Sequence, residues 1–180
     1  MKDDTYEVIL AGSGGQGLVS SGIMLGEAAI LEGKQVMHTT SYGIAQRGGL
    51  SSAEVIISSA EILFQHVQNP NLILALTDES LNLYLPLASS GVAIFYDTTL
   101  VQKHEENNLY GYPFTEMANQ LGHSGVANII ALGAMIGKSK MIKYESMERV
   151  LRKHFSGKIA EMNVKALCQG KSIGEGEKYR

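Results

Sequence analysis

Two short clusters in this 180-residue chain combine residue types that bind and orient charged ligands. The first is Gly12-Ser13-Gly14-Gly15-Gln16-Gly17. Gly12, Gly14 and Gly17 spell G-x-G-x-x-G, directly after an apolar strand-like run and directly before a helix-like one. In that context glycines allow a tight turn and close backbone approach, while the free N–H groups and dipole of the helix start favour an anion. Three uses are open to such a turn: a dinucleotide, another phosphate or carboxylate, or a purely structural crossing from strand to helix. A dinucleotide site also needs an acidic residue at the end of the second strand to hold the ribose hydroxyls. That place holds His38, Thr39, Thr40 and Ser41. No Asp or Glu occurs between positions 33 and 49, although Arg47 is a candidate partner for the extra phosphate of NADP.

The second cluster is Ser41-Tyr42-Gly43-Ile44-Ala45-Gln46-Arg47-Gly48-Gly49. It packs a hydroxyl, a phenol, an amide, a guanidinium and three glycines after a strand, and ligands of open α/β sheets bind in loops at the carboxyl ends of strands. Arg47 on pliable backbone could clamp a carboxylate or phosphate with two parallel hydrogen bonds, or could be a solvated arginine on a surface turn.

Other chemistries find little support. Cys168 is the one cysteine, so the chain forms no internal disulfide and cannot by itself hold an iron–sulfur cluster, which needs about four thiolates. The histidines at 38, 66, 104, 123 and 154 lack metal-ligand spacing, and no metal is expected. Of these, His38, at a strand end, is the one to follow. Asp78-Glu79 and Asp97 sit where helix caps and turns are expected. A formal charge of −3 gives no reason to expect nucleic acid or an anionic membrane as partner. The apolar run 126–137 is interrupted by Asn128 and is shorter than the ~20 residues of a membrane span. The acidic start leads straight into a strand and is unlike a signal peptide, so a soluble, cytoplasmic protein is expected.

The elements that must position these residues follow from hydrophobic patterning. Strands are expected at 6–11, 36–39, 53–58, 72–76 and 92–96, and helices at 17–32, 61–67, 78–87, 114–122, 124–136, 144–154 and 158–168. Residues 98–112 read as a polar loop, and 171–180 as a frayed tail of a single domain spanning 1–180. Strands alternating with helices imply an α/β, three-layer Rossmann-like fold with a mostly parallel sheet. The connection from strand 2 to strand 3 is barely long enough for a crossover helix, so strand 3 is expected antiparallel, making the sheet mixed. The first helix is apolar nearly all round, which implies burial on more than one face. Its Gly22 and Gly26 leave a shallow groove for another backbone.

Taken together, these segments resemble the gamma subunit of 2-oxoacid:ferredoxin oxidoreductases of the 2-oxoglutarate, pyruvate and ketoisovalerate types. The resemblance rests on Ala11-Gly12-Ser13-Gly14-Gly15-Gln16-Gly17, Ser41-Tyr42-Gly43 with Gln46-Arg47-Gly48-Gly49, and Ala53-Glu54-Val55-Ile56-Ile57-Ser58. Asn69-Pro70-Asn71, Asn128 with Leu132-Gly133, and Asn163-Val164-Lys165-Ala166-Leu167 extend it over nearly the whole chain. The Gln46-Arg47-Gly48-Gly49 form is also similar to the small subunit of indolepyruvate:ferredoxin oxidoreductase. The resemblance implies oxidative decarboxylation of a 2-oxoacid with coenzyme A to acyl-CoA, carbon dioxide and reduced ferredoxin. It places thiamine diphosphate, Mg and [4Fe-4S] clusters on alpha, beta and, in some complexes, delta subunits, and no cofactor on this chain. The expected roles are an anion cradle at Gly12, Gly14, Gly15, Gln16 and Gly17, and a substrate-side or interface role for Ser41, Tyr42, Gly43, Gln46, Arg47, Gly48, Gly49 and Asn128. Parted from its siblings, such a subunit is expected to be inactive and able to form a homodimer. The rival readings are a stand-alone NAD(P)-dependent oxidoreductase and a purely structural assembly subunit.

Overall fold

The computed structural model describes residues 5–42, 49–102, 104 and 106–176. Six strands form one sheet in the order β2-β3-β1-β4-β5-β6: β1 Tyr6–Ser13, β2 Gln35–Tyr42, β3 Leu50–Ser58, β4 Leu72–Ala75, β5 Ala93–Asp97 and β6 Leu109–Tyr112. β1, β4, β5 and β6 run parallel to one another, and β3 is antiparallel to both β1 and β2. The mixed sheet expected from the short 2–3 connection is therefore present.

Helices α1 Leu18–Leu31, α3 Phe114–Gln120, α4 Ala127–Ser139, α5 Tyr144–His154 and α6 Gly157–Gly174 lie on one side. They close the larger core over Val8, Leu10, Val55, Ile57, Leu72, Leu74 and Phe95. The alternate residues Ile9, Ala11, Ile73, Ala75, Ile94 and Tyr96 face the other way, under the short helix α2 Asp78–Tyr84 and the 3-10 turn Leu85–Ser90. The strict period-2 division of each strand between two apolar cores explains why β1, β4 and β5 read as continuous apolar runs. α2 starts with a reciprocal cap: Thr77 Oγ1 accepts from Ser80 N–H at 3.2 Å, and Ser80 Oγ accepts from Thr77 N–H at 3.0 Å.

The closest helix pair is α4 with α6. A Cβ on Gly133 or Gly137 would strike the carbonyl of Leu167 or Lys171, and one on Gly170 or Gly174 the carbonyl of Ile130 or Ala134. Two glycine pairs four apart, one on each helix, thus bring the two backbones into contact.

Five expectations are corrected. Residues 61–67 are irregular rather than helical. Polar segment 98–112 ends in β6, whose Tyr110 ring stacks on Phe95 with centroids 5.0 Å apart. α6 runs past Cys168 to Gly174 with Ile173 buried, so 171–174 are packed structure and not a loose tail. The groove at Gly22 and Gly26 receives the His38 and Val36 side chains of β2, not a backbone. The second apolar side of α1 is open: Ile23 and Ile30 are 43% and 60% exposed.

Candidate functional site

The glycine turn joins β1 to α1 through two residues in the left-handed region, Gly15 at φ 89° and Gly17 at φ 72°, where a Cβ is strained. Gln16 closes the turn from within. Its Oε1 accepts from Ser13 N–H at 2.7 Å, and its Nε2 donates to the Leu76 carbonyl at 3.4 Å, tying the turn to the end of β4. A Cβ on Gly12 would collide with that Oε1, so Gly12 is glycine to admit Gln16. Gly14 has open space around it.

Asn128, 7% exposed in the first turn of α4, reaches across to the start of α1. Its Nδ2 donates to the Gly17 carbonyl at 3.3 Å and to Ser21 Oγ at 3.0 Å, and its Oδ1 accepts from Ile129 N–H at 2.8 Å. A Cβ on Gly17 would sit 2.5 Å from Nδ2. The N-termini of α1 and α4 are thereby clamped side by side. Between them opens a cleft of about 270 Å³ lined by Gly15, Gln16, Gly17, Asp97, Thr115, Ser124 and Asn128.

Asp97 is fully buried at the end of β5. Its carboxylate accepts from Thr99 N–H and Thr115 N–H, each at 3.0 Å, and from Thr115 Oγ1. The Thr115 bonds cap α3, and the buried carboxylate lines the cleft together with the starts of α1 and α4. A second cleft of about 320 Å³ shares Gly17, Gly125 and Asn128 with the first and is walled by Met24, Val126, Ile129, Phe155, Ile159 and Met162. A polar end, at the starts of two helices, and an apolar end thus adjoin across a shared wall.

The sheet brings the β2 end of the second cluster, Ser41 and Tyr42, to the same edge. Ser51 of β3 pairs with Gly12 on one side and with Tyr42 on the other. At about 4.8 Å between strands, the glycine turn and the end of β2 lie about 10 Å apart. Ser41 is exposed opposite Ser52, and Gly49 is half-buried just before β3. Gly43, Gln46, Arg47 and Gly48 lie outside the described residues, as does the Tyr42 side chain. In a dinucleotide fold strand 2 lies beside strand 1 so that its acidic residue reaches the ribose. Here β3 intervenes, and His38 to Ser41 are set one strand further out.

His38 does not face the site. Its Nε2 is buried without a hydrogen-bond partner against Gly22 of α1, and burial holds the imidazole pKa below its ordinary value. Cys168 is exposed on α6 beside Tyr144, whose phenol is pushed up to about 12 chiefly by burial and next by Cys168. Sequence reasoning missed the bonds of Gln16 and the burial of Asp97. Each residue combines a local bond, to Ser13 or Thr99, with a distant one, to Leu76 or Thr115, and the distant partner leaves no local pattern.

The pyruvate ferredoxin/flavodoxin oxidoreductase family model matches residues 7–173. A 2-oxoglutarate synthase subunit KorC from Archaeoglobus fulgidus is 37% identical over 166 residues, covering 92% of this chain and 86% of that protein. The ketoisovalerate oxidoreductase subunit VorA of Methanothermobacter marburgensis is 34% identical over 91% of this chain but only 35% of its own length. Among solved structures, the gamma subunit of a keto/oxoacid ferredoxin oxidoreductase from Geobacter sulfurreducens superposes with a TM-score of 0.81 at 34% identity, covering 94% of this chain and 98% of that one.

Proposed function

From the membership of this chain in the pyruvate ferredoxin/flavodoxin oxidoreductase family, we propose that it is the gamma-type subunit of a cytoplasmic complex that oxidatively decarboxylates a 2-oxoacid. The related proteins are named for 2-oxoglutarate and for ketoisovalerate, so the proposed substrate class is the 2-oxoacids as a whole. Coenzyme A is the co-substrate and ferredoxin the electron acceptor. Thiamine diphosphate, Mg and the [4Fe-4S] clusters sit on the alpha, beta and, where present, delta subunits. The single cysteine of this chain agrees with that division.

The observation that carries the reading is the shared edge of the glycine turn and the end of β2, linked through Ser51 to Gly12 and Tyr42. Phosphate groups of coenzyme A fit the cleft between the N-termini of α1 and α4. The adjoining apolar cleft suits the non-ionic part of such a coenzyme better than it suits a bare inorganic anion. Arg47 then pairs with a phosphate or carboxylate, with Tyr42 and Gln46 as hydrogen-bond donors. The test is Arg47→Ala in the reconstituted complex. The expected result is intact assembly with a KM for coenzyme A raised about tenfold or more, the scale of one charge-assisted contact. Unchanged KM values for both coenzyme A and the oxoacid would falsify the Arg47 role.

A further inference from the structure

The layer opposite the five large helices differs from the rest of the molecule in charge. Residues 48–102 supply β3, β4, β5, α2 and the 3-10 turn and contain no Lys or Arg, whereas most of the chain's 15 cations lie from Lys138 onward. The one histidine in that stretch, His66, is held by Glu54 at 3.2 Å. Glu61, Asp78 and Glu79 are exposed there. So are three large apolar side chains: Leu63 is 78%, Phe64 62% and Leu83 55% exposed.

Leu63 and Phe64 sit on an irregular segment that is nonetheless pinned. Glu7 accepts from the N–H groups of Gln68 at 2.5 Å and Asn69 at 2.8 Å, and Glu54 accepts from Val67 N–H at 3.1 Å. Asn71 adds a bond to the Thr5 carbonyl and one from Glu7 N–H, each at 3.1 Å. Val67 packs into the smaller core. Next to the two exposed residues is a cleft of about 230 Å³ against Ile56 and Ile62.

We propose that this layer docks another protein chain, one whose surface carries Lys and Arg around an apolar pocket that receives Leu63 and Phe64. A pinned loop binds without paying to become ordered. Aromatic and aliphatic anchors on a surface poor in lysine are the composition of an interface centre. Glu61 and Glu7, which line the same cleft as the two anchors in a stretch without Lys or Arg, select a basic counterpart. A second copy of this chain does not fit. Face to face, it brings two acidic layers without Lys or Arg together. Acidic layer against basic helices, it makes a head-to-tail contact that does not close on a two-fold axis. Resting on the reading of this chain as a complex subunit, the occupant is a sibling subunit.

The experiment titrates the full-length chain with the sibling subunits at low and high salt. Binding is expected to weaken with salt. Leu63→Ala with Phe64→Ala weakens it at least about tenfold while the thermal melt of the chain stays unchanged. Glu61→Lys weakens it and flattens the salt dependence. If the wild type binds and both variants bind equally well, the docking inference is overturned and the complex reading stands. A wild type that binds no sibling overturns both. Self-association that the double variant abolishes overturns the choice of partner.

Discussion

Two side chains decide the shape of the glycine turn, and each explains one of its glycines. Gln16 occupies the space that a side chain at position 12 would take, and Asn128 the space at position 17. The sequence pattern revealed that glycine was needed. The reason lay in the Gln16 side chain folded back within the turn and in Asn128 on α4, neither of which the glycine spacing shows. Asn128 stood out beforehand only through resemblance, as a polar break in an apolar helix. His38 is the buried group whose titration matters at this scale. Its folded-state pKa is depressed, so the unfolded chain binds more protons as the pH falls below about 6.5. Its stabilising effect as a neutral group is therefore complete above that pH and is lost on acidification, until the folded value is reached. His38→Met is expected to lose less stability than the wild type between neutral and mildly acidic pH, measured by urea titration at each pH. Equal losses in the two proteins would sink the assignment, because the Glu27–His154 pair contributes to both alike.

Among the elements, the strongest constraint lies where α4 meets α6. Gly133, Gly137, Gly170 and Gly174 each abut backbone of the opposite helix, leaving no room for a methyl group. At an open helical site Gly→Ala gains about 1 kcal/mol. For Gly170→Ala the sign reverses, with an expected net loss of about 1–3 kcal/mol as the helices are forced apart. Guanidinium unfolding at fixed temperature measures it, and a stabilised variant would contradict the close approach. Helix α5 was legible because its buried Met147, Val150 and Leu151 recur at helical spacing, and α4 because its larger apolar residues Ile129, Ile130 and Ile136 do, although it is buried without a break from Asn128 to Gly137. Segment 61–67 misled because Ile62, Leu63 and Phe64 are apolar for a surface and not for a core. β6 escaped notice because it is only four residues long, although Tyr110 and Tyr112 at alternate positions were a cue.

In the whole molecule the decisive feature is the antiparallel β3, and the length of the 2–3 connection was enough to foresee it. The division of charge between the two layers was equally open to reading, since it needs only a count of Lys and Arg along the chain. What a count could not supply was which residues share a layer. Because β3 pairs with β2 as its antiparallel neighbour, residues 43–48 link two adjacent strand ends. Replacing those six positions with a Gly-Ser linker of equal length is expected to change stability by no more than about 0.5 kcal/mol. The same change should raise the KM for coenzyme A in the assembled complex. A collapse in thermal stability would show that the hairpin belongs to the core.

That hairpin has a consequence for how such a chain diversifies. In a fully parallel doubly wound sheet, the loop leaving strand 2 is also the entrance to a covering helix, so altering it disturbs a hydrophobic layer. Here β2 and β3 pair directly as antiparallel neighbours, and no crossover has to fit the connection between them. Its composition and length can drift while both cores and their registers stay as they are. Selection for a different acid or a different complex then acts on a few positions beside a fixed glycine turn, and the scaffold carries no memory of the change.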